Sequence, residues 1–124
     1  MIPTSKLRKA MRDISAKKGP FVFFGVLLRE NSVGGEWDLV VSAPWLKAYD
    51  RKSFSEFAKL FAKSLGKKAI VQLARISVVP PTDPTLRKLI ATHSVDDGEV
   101  RIDRTTLFGN EIDDGIILRA KRAA

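Results

Sequence analysis

Phe21-Val22-Phe23-Phe24-Gly25-Val26-Leu27-Leu28, followed by Gly34-Gly35 and then Trp37-Asp38-Leu39-Val40-Val41-Ser42-Ala43, is the densest apolar part of the chain. Two apolar runs of strand length around a paired glycine predict a β-hairpin, because consecutive glycines supply the positive φ of a tight connection. The first run, taken as Phe21 to Glu30, is apolar on both of its alternating faces, so it predicts an interior strand. Gly25 within it marks a close backbone approach or a bulge. The second run, Glu36 to Ala43, sets Trp37, Leu39, Val41 and Ala43 on one face and Asp38, Val40 and Ser42 on the other.

The flanking segments read as cover for this pair. Over Thr4 to Lys18, Leu7, Ala10, Met11 and Ile14 recur at helical spacing, with Thr4 or Ser5 as the cap and Gly19-Pro20 as the stop. Ser53 and Glu56 have capping-box spacing ahead of Phe54, Phe57, Ala58, Phe61 and Leu65, a second amphipathic helix that Gly66 ends. A third strand is expected over Ala69 to Val79, parallel to the second because a helix joins them. Asp83-Pro84 opens a short third helix bearing Leu86, Leu89, Ile90 and His93. Glu99 to Asp103 and Gly115 to Ala120 predict two more strands, with the acidic stretch from Asn110 to Gly115 as a loop before the last. The predicted fold is a single α+β domain over residues 1–124, a mixed five-stranded sheet in the order α-β-β-α-β-α-β-β with helices covering it.

Composition narrows the chemistry. Apolar residues make up 44% and charged residues 29%, which suits a folded chain rather than a disordered one. With no cysteine and one histidine, disulfides, thiolate nucleophiles and a zinc site of the usual ligands are excluded. No Walker A sequence, Gly-x-Gly-x-x-Gly fingerprint or nucleophile elbow occurs. His93, on the apolar side of its helix, reads as a packed or capping residue, and no catalytic residue or cofactor is expected. No apolar run reaches the roughly 20 residues of a membrane span, and no signal peptide is read at the N-terminus, so a cytoplasmic location is expected.

The net charge is +8, and it lies at the ends of the chain. Residues 1–18 carry Lys6, Arg8, Lys9, Arg12, Lys17 and Lys18 against Asp13, and a frayed tail over 119–124 adds Arg119, Lys121 and Arg122. Residues 19–118 hold thirteen charges of each sign and sum to zero. The expectation is a non-catalytic binding or regulatory module. Lys6, Lys9, Arg12, Lys17, Lys18, Arg119, Lys121 and Arg122 form its anion-contacting surface, with nucleic acid favoured and an acidic protein as the other partner. Trp45 and Tyr49, beside Pro44, are candidate partner contacts, and a homo-oligomer would use a sheet edge or the hairpin. Arg75, among apolar neighbours, predicts a buried ion pair with Asp38.

One stretch resembles a known family. Phe23-Phe24-Gly25 through Asp38-Leu39-Val40-Val41 is similar to the nucleotidyltransferase core, in which Gly-Ser ends one strand and Asp-x-Asp begins the next. Val26 stands at the serine, and Glu36-Trp37-Asp38 stands at the acid pair. The resemblance implies an enzyme holding magnesium on Glu36 and Asp38. The restriction-endonuclease pattern is excluded, since no Glu-x-Lys follows.

Overall fold

The computed structural model describes residues 2–29 and 37–122. Among these residues the chain forms α1 (Thr4–Lys18), β1 (Phe23–Arg29), β2 (Trp37–Ser42), α2 (Arg51–Leu65), α3 (Lys67–Ile70), β3 (Leu73–Val78), α4 (Pro84–Thr92), β4 (Val95–Leu107) and β5 (Asn110–Ala120). The strands make one mixed sheet in the order β3-β2-β1-β5-β4. β1 is central and antiparallel to both β2 and β5, and β3 runs parallel to β2 as the helical crossover requires. The predicted α+β architecture is the observed one, with α3 as an added helical turn. The Gly34-Gly35 connection and Glu36 lie outside the described residues.

Strand alternation divides the interior into two cores, because successive side chains point to opposite faces. Phe24, Val26, Leu39 and Val41 meet Leu7, Met11 and Ile14 of α1 and Phe57 and Phe61 of α2 on one face. Phe23, Leu27 and Val40 meet Leu86 and Leu89 of α4, with Ile102, Ile112 and Ile117, on the other. Both faces of β1 are therefore covered, which is why its sequence reads as a continuous apolar run. Phe21 joins the two halves of the helix-side core, with its ring edge-on to Phe24, Trp45 and Phe57.

Several boundaries differ from expectation for identifiable reasons. α1 is preceded by Pro3 rather than capped by Thr4 or Ser5, whose residues already belong to the helix. α2 begins two residues before Ser53, whose Oγ accepts from the Lys47 amide at 2.9 Å instead of closing a capping box. Phe54 consequently faces outward. Residues 67–70 wind into α3, so β3 starts only at Leu73. Asp83 caps α4 as predicted, with Oδ1 accepting from Thr85 and Leu86 amides.

The largest correction concerns the last hairpin. The acidic stretch from Asn110 to Gly115 is strand, not loop, because cross-strand partners offset its poor strand propensity. Glu111 accepts from Thr106, Asp113 pairs with Arg104, and Asp114 pairs with Arg101. The connection is only Phe108-Gly109, both at positive φ, as a two-residue hairpin turn demands. Residues 119 and 120 likewise belong to β5, and the Lys121 amide bonds the Val22 carbonyl, so the expected frayed tail is pinned at its start.

Candidate functional site

Two surfaces concentrate chemistry, one on each side of the sheet. The first is the layer of α1, α2 and α3. Together these helices carry twelve basic residues and two acidic ones, Asp13 and Glu56, for a net +10. The rest of the chain sums to −2. The electrically neutral middle of the sequence is thus segregated in space: α2 and α3 contribute Arg51, Lys52, Lys59, Lys63, Lys67 and Lys68, while β4 and β5 carry most of the acids. Ser64 donates to Asp13 at 2.8 Å and Lys18 lies 3.5 Å from Glu56, which sets α1 antiparallel to α2. Between the two helices runs a groove of about 410 Å³ lined by Lys9, Asp13, Lys17, Leu60, Lys63 and Ser64. The Ser64 hydrogen bond, chiefly, holds the Asp13 carboxyl below its ordinary pKa, so the acid stays charged beside Lys9 and Lys17.

The predicted basic residues separate into two groups. Arg8 and Arg12 of α1 converge on Asp97, Arg12 donating at 2.8 Å, and Arg8 also reaches the Asp97 carbonyl. Arg119 and Lys121 converge on Asp96, and Arg119 also donates to the Phe21 carbonyl. The two basic ends of the chain therefore meet, but across a pair of aspartates that offsets half of the charge of the four groups involved. Hydrogen bonding, first from Lys121 for Asp96 and from Arg12 for Asp97, lowers both pKa values. Asp97 sits at positive φ where the β4–β5 register shifts, and this bulge presents the adjacent acids to different elements. Lys6, Lys17 and Arg122, with the six basic residues of α2 and α3, form no ion pair among the described residues. Lys9 and Lys18 make only 3.5 Å contacts.

The second surface is a cavity of about 460 Å³ on the α4 side of the sheet. Asp38 and Val40 of β2, Arg75 and Ser77 of β3, the start of α4 and the Phe108-Gly109 turn enclose it, and Tyr49 stands at its rim. Asp38 and Arg75 are register neighbours on parallel strands, and Arg75 Nε donates to Asp38 Oδ2 at 3.0 Å. Arg29 Nε lies 2.9 Å from the same oxygen. The predicted pair is present in altered form. Asp38 is buried, but the Arg75 side chain is 46% exposed, because β3 is an edge strand. Arg29, which the sequence reading did not nominate, makes the pair a triad.

Trp45 and Tyr49 do not form one surface. The Trp45 indole donates to the Gly19 carbonyl at 2.9 Å and packs edge-on to Phe21, closing the core. Tyr49 is 97% exposed and held at φ +63. His93 ends α4, with its amide bonded to the Leu89 carbonyl and Nδ1 2.8 Å from the Thr92 hydroxyl. Glu36 lies outside the described residues, and Asp38 carries two guanidinium contacts on one oxygen, which a magnesium ion would have to displace. Among the described residues no cluster of three metal-ligating side chains occurs, and no helix is long and apolar enough to cross a membrane. The chain matches no protein-family model, no curated protein and no solved structure.

Proposed function

We propose that this protein is a non-catalytic binding module that holds the phosphate backbone of a nucleic acid against its α1–α2–α3 layer. The observation that supports this reading is the segregation of charge, +10 on three helices covering one sheet face against −2 on everything else. A fixed charge of this size on one face attracts a polyanion over a Debye length and orients it before contact. The lysines unpaired among the described residues are the contacting groups, with Lys17 and Lys63 flanking the inter-helix groove and Lys9 beside them. Lysine heads on flexible stems suit sequence-independent contact with phosphates and supply no base readout.

Labelled single- and double-stranded oligonucleotides, titrated across a salt series, test this reading. Wild type is expected to bind with affinity falling steeply with salt. Changing Lys9, Lys17 and Lys63 together to Ala should flatten the log–log slope by about 2 to 3, since each duplex phosphate contact contributes about 0.9. Absence of binding at low salt would sink the reading, and binding to an acidic protein with no oligonucleotide binding would reassign the same face.

A further inference from the structure

We propose that the cavity between β2, β3 and the Phe108-Gly109 turn binds a small organic anion, a carboxylate or phosphate monoester, with Arg75 as the anion-binding group. It lies on the sheet face opposite α1 and α2, so this inference does not rest on polyanion binding.

The argument begins with how Arg75 is held. Its Nε donates to Asp38 Oδ2, which fixes the plane of the guanidinium, while Nη1 and Nη2 make no hydrogen bond among the described residues. A guanidinium anchored by Nε and open along its Nη edge has the geometry for two parallel bonds to a carboxylate or phosphate. Asp38 does not belong to Arg75 alone, because Arg29 Nε lies 2.9 Å from the same carboxylate oxygen, and Asp83, the other carboxylate on the wall, is turned through Oδ1 to the Thr85 and Leu86 amides. Among the described residues Asp38 Oδ1 is buried with no hydrogen-bond partner, in a side chain 95% removed from solvent that lines the cavity. A buried acceptor of this kind calls for a donor, which a ligand hydroxyl or a water carried in with the ligand supplies.

The walls suit the rest of such a molecule. Leu27 and Val40 lie almost wholly buried at its base, the accessible lining is mainly polar, and Ser77 adds a hydroxyl, in a volume within the range of roughly 300–1,000 Å³ usual for small-molecule sites.

The test is a ¹H–¹⁵N NMR titration of the full chain with phenyl phosphate and benzoate, with benzamide as the uncharged control. Both anions should give saturable shifts at Asp38, Arg75 and Ser77, and benzamide none. Arg75→Gln should weaken binding at least tenfold, and Ser77→Leu, which fills the cavity while keeping the triad, should do the same. The Lys9, Lys17 and Lys63 triple alanine variant should bind as wild type does. The proposal is overturned by no saturable shift at about 10 mM anion, by shifts confined to α1 and α2, or by binding that both cavity variants retain.

Discussion

Arg12 and Asp97 meet at 2.8 Å although 85 residues separate them, tying the basic face of α1 to the bulge of β4. The contact changes what Arg12 is for. A guanidinium already donating to a carboxylate must break that bond to reach a phosphate, whereas Lys17 need not. Arg12→Ala should therefore leave oligonucleotide affinity and its salt slope near wild type, while Lys17→Ala measurably weakens binding. Because Arg12 remains more than half exposed, its removal should cost no more than about 1 kcal/mol in urea denaturation. A binding loss from Arg12→Ala as large as that from Lys17→Ala would contradict this division of roles.

Acid should loosen the same contact, with a definite sign. Hydrogen bonding to Arg12 holds the Asp97 carboxyl below its ordinary value of 3.8, against the opposing effect of burial. A carboxylate with a lowered folded pKa adds stability that is complete above the unfolded value and lost as pH falls through the folded one. The stability difference between wild type and Asp97→Asn should hence be constant well above the ordinary value of 3.8 and shrink towards zero as pH falls through the lower folded value. The expected plateau is modest, about 1 kcal/mol or less, given partial exposure of both partners. Denaturant midpoints of the two proteins across this range would decide it, and a difference that grows on acidification would refute it.

Trp45 and Tyr49 are four residues apart and should respond oppositely to substitution. Trp45→Ala removes a ring packed on Phe21 and a donor to the Gly19 and Pro20 carbonyls, and should cost about 3 kcal/mol. Tyr49→Gly removes a fully exposed ring from a residue at φ +63, relieving about 1–2 kcal/mol of left-handed strain against the greater unfolded-state entropy of glycine. Thermal melts should show a drop for the first and no loss, or a small gain, for the second.

Gly115 gives a prediction that rests on space alone. A Cβ there would lie 2.7 Å from Ile102 Cγ1 and 2.8 Å from Leu27 Cδ2, within the core shared with α4. Gly115→Ala should destabilise by about 1–3 kcal/mol through overpacking. In the double variant Gly115→Ala with Ile102→Val, which removes the Cδ1 methyl 2.9 Å from that Cβ but keeps Cγ1, a minor part of that cost should return. Chemical denaturation of the four proteins of this cycle measures the coupling.

The fold was legible because its central signals are local. A doubly apolar strand, a helix between two strands and an Asp83-Pro84 start each specify their element without knowledge of neighbours. Parallel pairing of β2 and β3 even brought Asp38 to Arg75. What stayed hidden depends on which elements become neighbours. Arg75 reads as buried because Leu73, Ile76 and Val78 surround it, yet its strand is an edge, and sheet order is not written in any one segment. The acids of 111–114 read as loop because their partners, Arg101, Arg104 and Thr106, become partners only once the hairpin closes. The same blindness concealed the basic layer: Lys59, Lys63, Lys67 and Lys68 cancel arithmetically against the acids of β4 and β5, and only folding separates them.

Asp38 provides the sharpest test of the triad. Its carboxylate is 5% exposed and takes contacts from two guanidiniums that are themselves 30% and 46% exposed. Asp38→Ala would leave Arg29 and Arg75 near each other, two like charges with their shared anion gone. Breaking a fully buried pair costs about 3–5 kcal/mol, and solvent access to the two arginines should reduce this to about 2. Arg75→Gln in the wild-type background should cost less, because Arg29 still covers Asp38. The double variant Asp38→Ala with Arg75→Gln should be less destabilised than the sum of the two, since the second change removes the repulsion created by the first. Urea midpoints of all four proteins give this coupling directly. Strict additivity would mean that Arg75 is held by something other than Asp38, and the fixed guanidinium on which the anion site depends would fall with it.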